Sequence, residues 1–422
     1  MSNETEKYFP ALNDIMRAEH TLGEILSPTP LMANRNLSDR YGANVMLKRE
    51  DLQVVRSYKI RGAYNMIKSL TPEQTAKGIV CASAGNHAQG VALSCNKLGI
   101  EGKIFMPVTT PKQKINQVRM FGGTAVEVVL AGDTFDESNA AAMDTCQRED
   151  KTFIPPFNHP KIIEGQGTVG LEILQQSRAA VDYIFVPIGG GGLASGIGSV
   201  YKQMSPQTKI IGVEPAGAAG MKLSIERGEV TELDHVDKFV DGAAVQRVGD
   251  LTFDICRQVL DDIVTVPEGK VCTTILSLYN FDAIVAEPAG ALSISALDIC
   301  RDMIRGKNVV CIVSGSNNDI VRMEDIKERS LLYEGLKHYF VVHFPQRAGA
   351  LQDFVSKVLG PNDDITYFEY KKKTNREKGP VLIGIELQNR DDFAGLTERM
   401  KRNDIVYEYL NDNPGLFEFL IG

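Results

Sequence analysis

The feature that most restricts the fold is an alternation of short apolar runs with stretches of helical spacing, the two joined by small-residue turns. Tyr183-Ile184-Phe185-Val186-Pro187-Ile188 carries no charge along its length, and so short an apolar run reads as a central strand buried on both faces. It empties into Gly189, Gly190, Gly191, Gly192 and Leu193, after which residues 194–200 continue as a helix. The same rhythm appears earlier, with strands at 44–48, 78–82, 103–107, 125–129 and 152–154 and helices at 11–20, 111–121 and 133–149. It returns with strands at 209–214, 262–266 and 309–313. Strands that alternate with helices through short connections make parallel sheets covered on both faces, here in two successive α/β portions spanning 1–325. Polarity then rises, and 326–337 is expected to be a linker. The remainder, 338–422, has another order: strand 338–344, helix 350–359, strands 365–371 and 380–387, helix 391–401, strand 405–409. That β-α-β-β-α-β succession is the ferredoxin-like plan.

Composition narrows the function. Lys plus Arg total 46 against 54 Asp plus Glu, a net charge of −8, which argues against a nucleic-acid partner. The seven cysteines include no Cys-x-x-Cys pair and sit among apolar neighbours, so they read as reduced core thiols, and no metal site is expected. The N-terminal residues contain Glu4, Glu6 and Asp14 and no signal-peptide core, and no apolar run reaches membrane length. A cytoplasmic protein that handles small molecules, with no membrane or nucleic-acid partner, is the expectation.

Four places carry chemistry. Lys59 follows Ser57, a candidate N-cap, and precedes the helical spacing Ile60, Ala63, Met66, Ile67, which puts it in a first helical turn. The helix dipole disfavours a cation there and lowers its pKa, and a neutral amine is what Schiff-base chemistry requires. Gly189 to Leu193 opens a helix after a buried strand, so several N–H groups and a helix dipole can converge on one phosphate, although a bare glycine run is also an ordinary turn. The spacing matches neither a dinucleotide fingerprint nor a Walker A loop. Ser83-Ala84-Gly85-Asn86-His87 is a second strand-to-helix turn, whose N–H groups and Ser83 hydroxyl suit a carboxylate. Asn86 offers a donor and an acceptor to a ring oxygen or serves as a local turn residue, and His87 alone reads as structural. Ser314, again at a strand end, suits a heterocyclic nitrogen or is a turn serine.

A lysine, a single-phosphate cup, a carboxylate nest and a ring partner together describe pyridoxal 5'-phosphate handling an amino acid. The segments Ser57-Tyr58-Lys59-Ile60-Arg61-Gly62-Ala63, Ser83 to Gly90, Gly189 to Leu193, Ala286-Glu287-Pro288-Ala289-Gly290-Ala291 and Ser314-Gly315 resemble those of the threonine dehydratases (threonine ammonia-lyases). These are fold type II pyridoxal-phosphate enzymes, with a two-lobed, tryptophan synthase β-like catalytic domain. The tail's Phe344-Pro345-Gln346-Arg347-Ala348-Gly349-Ala350-Leu351 resembles the opening of that family's ACT-like regulatory domain. The resemblance implies that Lys59 holds the cofactor and removes the α-proton. It also implies that Asn86 meets the ring's phenolic oxygen, that Gly189 to Leu193 hold the phosphate and that Ser314 faces the pyridine nitrogen. The reaction implied is L-threonine to 2-oxobutanoate and ammonia, the first step of isoleucine biosynthesis, with L-serine going to pyruvate. Feedback by isoleucine, with valine as a second candidate, would act through a tail site that includes Arg347, Gly349 and Leu351. Paired tails imply a homo-oligomer, expected to be a tetramer.

The match has gaps. Serine racemases, close relatives, place a second serine where this chain has Ala84, so racemisation is expected to be poor. Relatives with a divalent cation place carboxylates after the segment matching Val213-Glu214-Pro215, and here 216–220 contains none. A catabolic serine/threonine dehydratase and a cysteine-synthase-like β-replacement enzyme remain as alternatives. The latter group usually carries Thr-Ser-Gly-Asn-Thr at 83–87 and lacks this tail.

Overall fold

A computed structural model describes residues 8–370 and 378–420. The chain divides into two compact units, the first ending at Ile320 and the second beginning at Val321.

The first unit contains two sheets. The larger has six strands in the order Leu31–Ala33, Asn44–Arg49, Asn308–Val313, Tyr183–Pro187, Lys209–Pro215, Asp262–Val266, all parallel except the first pair. The smaller has four parallel strands, Val126–Leu130, Gly102–Met106, Ile79–Ala82 and Thr152–Phe153. Their near-continuous apolar sequences follow from this arrangement, because helices cover both faces of each sheet. Ile184, Val186, Ile197, Val200 and Ile312 lie in the core of the larger lobe, and Ile79, Cys81, Val91 and Ile104 in that of the smaller. All seven cysteines are buried and unbridged.

Strand membership departs from chain order. The strand at 44–48 reads in sequence as the opening of the first α/β portion, yet it pairs along its whole length with Asn308–Val313. Only long-range pairing could reveal this, since either sheet can accept a short apolar strand. The consequence is local: the segment that leaves Arg49 toward Lys59 runs beside the segment that leaves Val313.

Helix Lys59–Lys68 is pinned by close packing on helix Pro160–Gln176. A Cβ on Gly165 would lie 2.6 Å from the Arg61 carbonyl oxygen, and one on Gly62 would lie 2.8 Å from that of Ile162. Both positions therefore need glycine for space. Beneath this crossing lies a buried ionic quartet. The Arg61 guanidinium meets Glu50 through Nε and Nη2 (2.8 Å each) and Glu172 through Nη1 (2.6 Å) and Nη2 (2.9 Å). Lys48 Nζ donates to Glu172 Oε2 at 2.5 Å. Two cations thus balance two carboxylates, which is what makes their burial tolerable.

The second unit is a four-stranded antiparallel sheet in the order Asp364–Tyr370, Lys378–Glu386, Lys337–Pro345, Tyr407–Tyr409, with helices Ala350–Lys357 and Asp392–Arg402. This is the ferredoxin-like order. Phe340, Val342, Ile383, Ile385 and Leu396 form its core. Lys371, expected to end the tail's second strand in chain order, lies outside the described residues. The linker expected at 326–337 is corrected: helix Met323–Tyr333 occupies most of it and contacts strand Lys337–Pro345. Ile326 and Ser330 are its buried residues, and the polarity that suggested a connection belongs to its other faces. Among the described residues no helix is long and apolar enough to cross a membrane.

Candidate active site

Lys59 is the first residue of its helix. The cap position is Tyr58, so the expectation that Ser57 caps the helix is corrected. Ser57 is instead held in an extended bridge to Gly315, one residue too early to reach the helix N–H groups. Its hydroxyl is buried without a hydrogen-bond partner among the described residues. The preceding Arg56 has φ 58°, an uncommon conformation for a side-chain-bearing residue, and its carbonyl accepts from Ser316 N at 3.0 Å. Tyr58 N in turn donates to the Ser314 carbonyl at 3.3 Å. Two segments some 250 residues apart in sequence are thereby fastened together.

The Lys59 amine donates to the Pro156 carbonyl at 3.1 Å and lies 5.4 Å from the centre of the Tyr58 ring. Burial pushes its pKa down to about 8, against the opposing pull of the Glu287 carboxylate. Next to Pro156, the Phe157 ring lies under the glycine loop: a Cβ on Gly190 would come within 2.2 Å of Phe157 Cδ1. Gly191 has φ 92° and stands at the cap position of helix Gly192–Met204 without any side-chain cap. Among the described residues no protein acceptor meets the N–H groups of Gly189 to Leu193. A cluster of free donors at a helix N-terminus, floored by an aromatic ring and too tight for side chains, fits a phosphate group.

The turn at 83–87 is partly committed already. Ser83 N donates to the Phe105 carbonyl (3.1 Å) and Gly85 N to Ser83 Oγ (3.2 Å). The N–H groups of Ala84, Asn86 and His87 remain without a protein acceptor among the described residues, and these are the ones that suit a carboxylate. The His87 ring lies 2.9 Å through Nε2 from the Ile154 carbonyl. Burial, then the neighbouring Lys59 charge, pushes its pKa down to about 3, so the ring stays neutral. Asn86 begins helix Asn86–Leu98, and its amide lies between Glu287 Oε1 and Asn317 Nδ2, each 2.6 Å away. Ser314 is buried and its hydroxyl donates to the Ala289 carbonyl at 3.1 Å, which leaves its oxygen lone pairs available.

Two residues here carried no role in the sequence reading. Glu287 is 5% exposed, and burial lifts its pKa to about 7; Asp241 adds to the rise, while Asn86 and Lys114 oppose it. A lone carboxylate inside the run of small residues 286–291 was the available signal. Asn317 stood among other polar turn residues and gave no signal of its own. Glu214 is spoken for, since its carboxylate accepts from Met221 N (2.8 Å) and Lys222 N (2.9 Å) and so caps helix Gly220–Arg227.

Within the second unit, Gly349 has φ 82° and stands at the cap position of helix Ala350–Lys357. Arg347 is held by Asp353 (Nη2 to Oδ2, 2.5 Å), so an incoming carboxylate would compete with that ion pair. Leu351 is 42% exposed.

Comparison with known proteins bears on both units. The family model described as pyridoxal-phosphate dependent enzyme matches residues 23–315, and that of the C-terminal regulatory domain of threonine dehydratase matches 328–420. The protein of Halalkalibacterium halodurans called L-threonine dehydratase biosynthetic IlvA is 58% identical over 410 residues, covering 97% of this chain and 99% of that one. Its Bacillus subtilis namesake is 56% identical over 407 residues, covering 96% of each. Among solved structures, the processed form of threonine deaminase isoform 2 from Solanum lycopersicum aligns with TM-score 0.72 and 40% identity over 78% of this chain and 91% of that one. Maize serine racemase aligns with TM-score 0.71 and 30% identity over 77% and 99%.

Proposed function

Since the chain belongs to the pyridoxal-phosphate-dependent enzymes and, within them, to the biosynthetic threonine dehydratases, we propose that its site converts L-threonine to 2-oxobutanoate and ammonia, and L-serine to pyruvate. Pyridoxal phosphate, when bound, supplies the electron withdrawal that loosens the substrate's α-proton. In this reading Lys59 holds the cofactor, and its Nζ, once released, takes that proton as a neutral amine. The N–H groups of Gly189 to Leu193 hold the phosphate. Those of Ala84, Asn86 and His87 orient the substrate carboxylate, Asn86 also meets the ring oxygen, and Ser314 meets the ring nitrogen. A serine hydroxyl cannot hand over a full proton as a carboxylic acid would, so negative charge is poorly stored in the ring. With Ser314 rather than an acid at the ring nitrogen, the site would suit elimination, in which the β-hydroxyl leaves as water once protonated, over slower fates.

The observation that carries the reading is convergence. The Lys59 amine, the free glycine-loop donors above Phe157, the Asn86 amide and the Ser314 hydroxyl come from four distant stretches and meet through Pro156, Tyr58 and Asn317. We further propose that the second unit binds isoleucine, with valine as a second candidate, at the turn Arg347–Leu351 and that the enzyme is a homotetramer working in isoleucine synthesis in the cytoplasm. The match of this unit to the regulatory-domain model supports effector binding. A coupling of ~1–3 kcal/mol would change threonine affinity about 5- to 150-fold. The test is keto-acid formation by the full-length enzyme across threonine concentrations, with and without isoleucine. No keto acid from threonine removes the catalytic reading. Identical curves with and without isoleucine remove only the regulatory one.

A further inference from the structure

Asn86 owns one amide with two possible orientations, and the protein around it accepts only one. On one side stands the Glu287 carboxylate, which takes a hydrogen bond from Asn86 Nδ2 at 2.6 Å. It also takes one from the Asn317 backbone N–H. On the other side, Asn317 Nδ2 donates to Asn86 Oδ1 at 2.6 Å. Asn317 is itself fixed, because the same Nδ2 donates to the backbone carbonyl of Val55 at 2.9 Å, and a carbonyl can only accept. The polarity therefore runs without a free choice from the Val55 carbonyl through Asn317 to Asn86 and on to Glu287. Turning the Asn86 amide over would set two N–H groups against each other at Asn317 and, with Glu287 ionised, two oxygens against each other there. Each mismatch leaves a buried polar group unpaired.

One hydrogen of Asn86 Nδ2 is then left over, with no protein acceptor among the described residues. We propose that Glu287 and Asn317 are positioning residues that lock Asn86 as a donor, so that the site is built for a ligand oxygen that accepts. Resting on the proposed function, that oxygen is the ring oxygen of pyridoxal phosphate in its deprotonated form. Glu287 touches no reacting atom in this scheme and acts through Asn86. The room around it is also specified, since a Cβ on Gly315 would lie 2.3 Å from Glu287 Oε1.

The test is a double-mutant cycle on Glu287→Gln and Asn86→Ala. It is read in the absorption spectrum of the bound cofactor and in affinity for added pyridoxal 5'-phosphate. Glutamine has nearly the same shape but keeps one acceptor oxygen and can turn its N–H₂ group toward Asn86, so the Asn86 amide is no longer locked from this side. In Glu287→Gln the yellow band should lose intensity to a shorter-wavelength form whose ring oxygen keeps its proton, and cofactor affinity should fall roughly tenfold. Glu287→Gln should add nothing further once Asn86 is alanine. Asn317→Ala, which frees the amide from the opposite side, should move both readouts the same way and supports the cycle if Glu287→Gln folds poorly. Equal effects of Glu287→Gln with and without Asn86 would overturn the proposal alone. If Asn86→Ala itself leaves band and affinity at wild-type values, the cofactor role of Asn86 falls, and the proposal with it.

Discussion

Capture of pyridoxal phosphate by the apoprotein reports the charge of Lys59, and the structure sets its pH dependence. Burial brings the amine from its ordinary 10.5 down to about 8, and its contacts are the Pro156 carbonyl and the Tyr58 ring, with the Glu287 carboxylate pulling the other way. At pH 7.5 a pKa of about 8 leaves roughly a quarter of the amine neutral, whereas 10.5 would leave about one part in a thousand. The nucleophilic form is thus enriched some two hundredfold, about 3 kcal/mol. Growth of the yellow absorption after mixing apoprotein with cofactor should accelerate about tenfold per pH unit up to about 8 and then level off. Nα-acetyl-lysine under the same conditions should keep accelerating past pH 10, and it controls for the cofactor's own ionisation. The same shift appears in stability. A lysine whose folded pKa lies below its unfolded one contributes fully above about 10.5 and loses that contribution as pH falls through about 8. Relative to Lys59→Met, the wild-type apoprotein should therefore lose up to about 3 kcal/mol in urea unfolding between those pH values. Capture rates that parallel the free lysine up to pH 10 would refute the reasoning, because the buried amine would then be an ordinary one.

Arg61→Met should destabilise the protein by about 3–5 kcal/mol, since it strands Glu50 and Glu172 in the core with only Lys48 beside them; urea unfolding measures it, and a loss under 1 kcal/mol would mean the carboxylates find water. Ala84→Ser should make D-serine detectable from L-serine by placing a hydroxyl in the turn beside Asn86. Chiral analysis decides it, and wild-type protein that racemises serine as fast as it eliminates water would show that position 84 is not the determinant.

Much of the fold was legible because parallel strands buried on both faces write themselves as apolar runs. The strand at 262–266 and the order of all six elements in the tail appear as read. So do the turns that follow strands, since a glycine run at the end of a buried strand leaves few alternatives. What periodicity could not give was which sheet a strand joins. The strand at Asn44–Arg49 looks like its sequence neighbours and belongs beside Asn308–Val313, and that pairing, with the bridge from Ser57 to Gly315, carries Lys59 to Ser314. Helix Pro160–Gln176 carried no assignment in the sequence reading; in the fold, its Gly165 is where Arg61 and Gly62 approach too closely for a side chain, and its Gly167 lies tight against the Ile15 side chain. Ser57 looked like a cap until its backbone was taken by Gly315. Glu287 had no visible purpose until Asn86 and Asn317 stood against it. Local sequence determines which segments become strands, helices and turns, because backbone preference and burial act over a few residues. The pKa of a lysine and the orientation of an amide are set by what lies across space, and only the tertiary structure decides that.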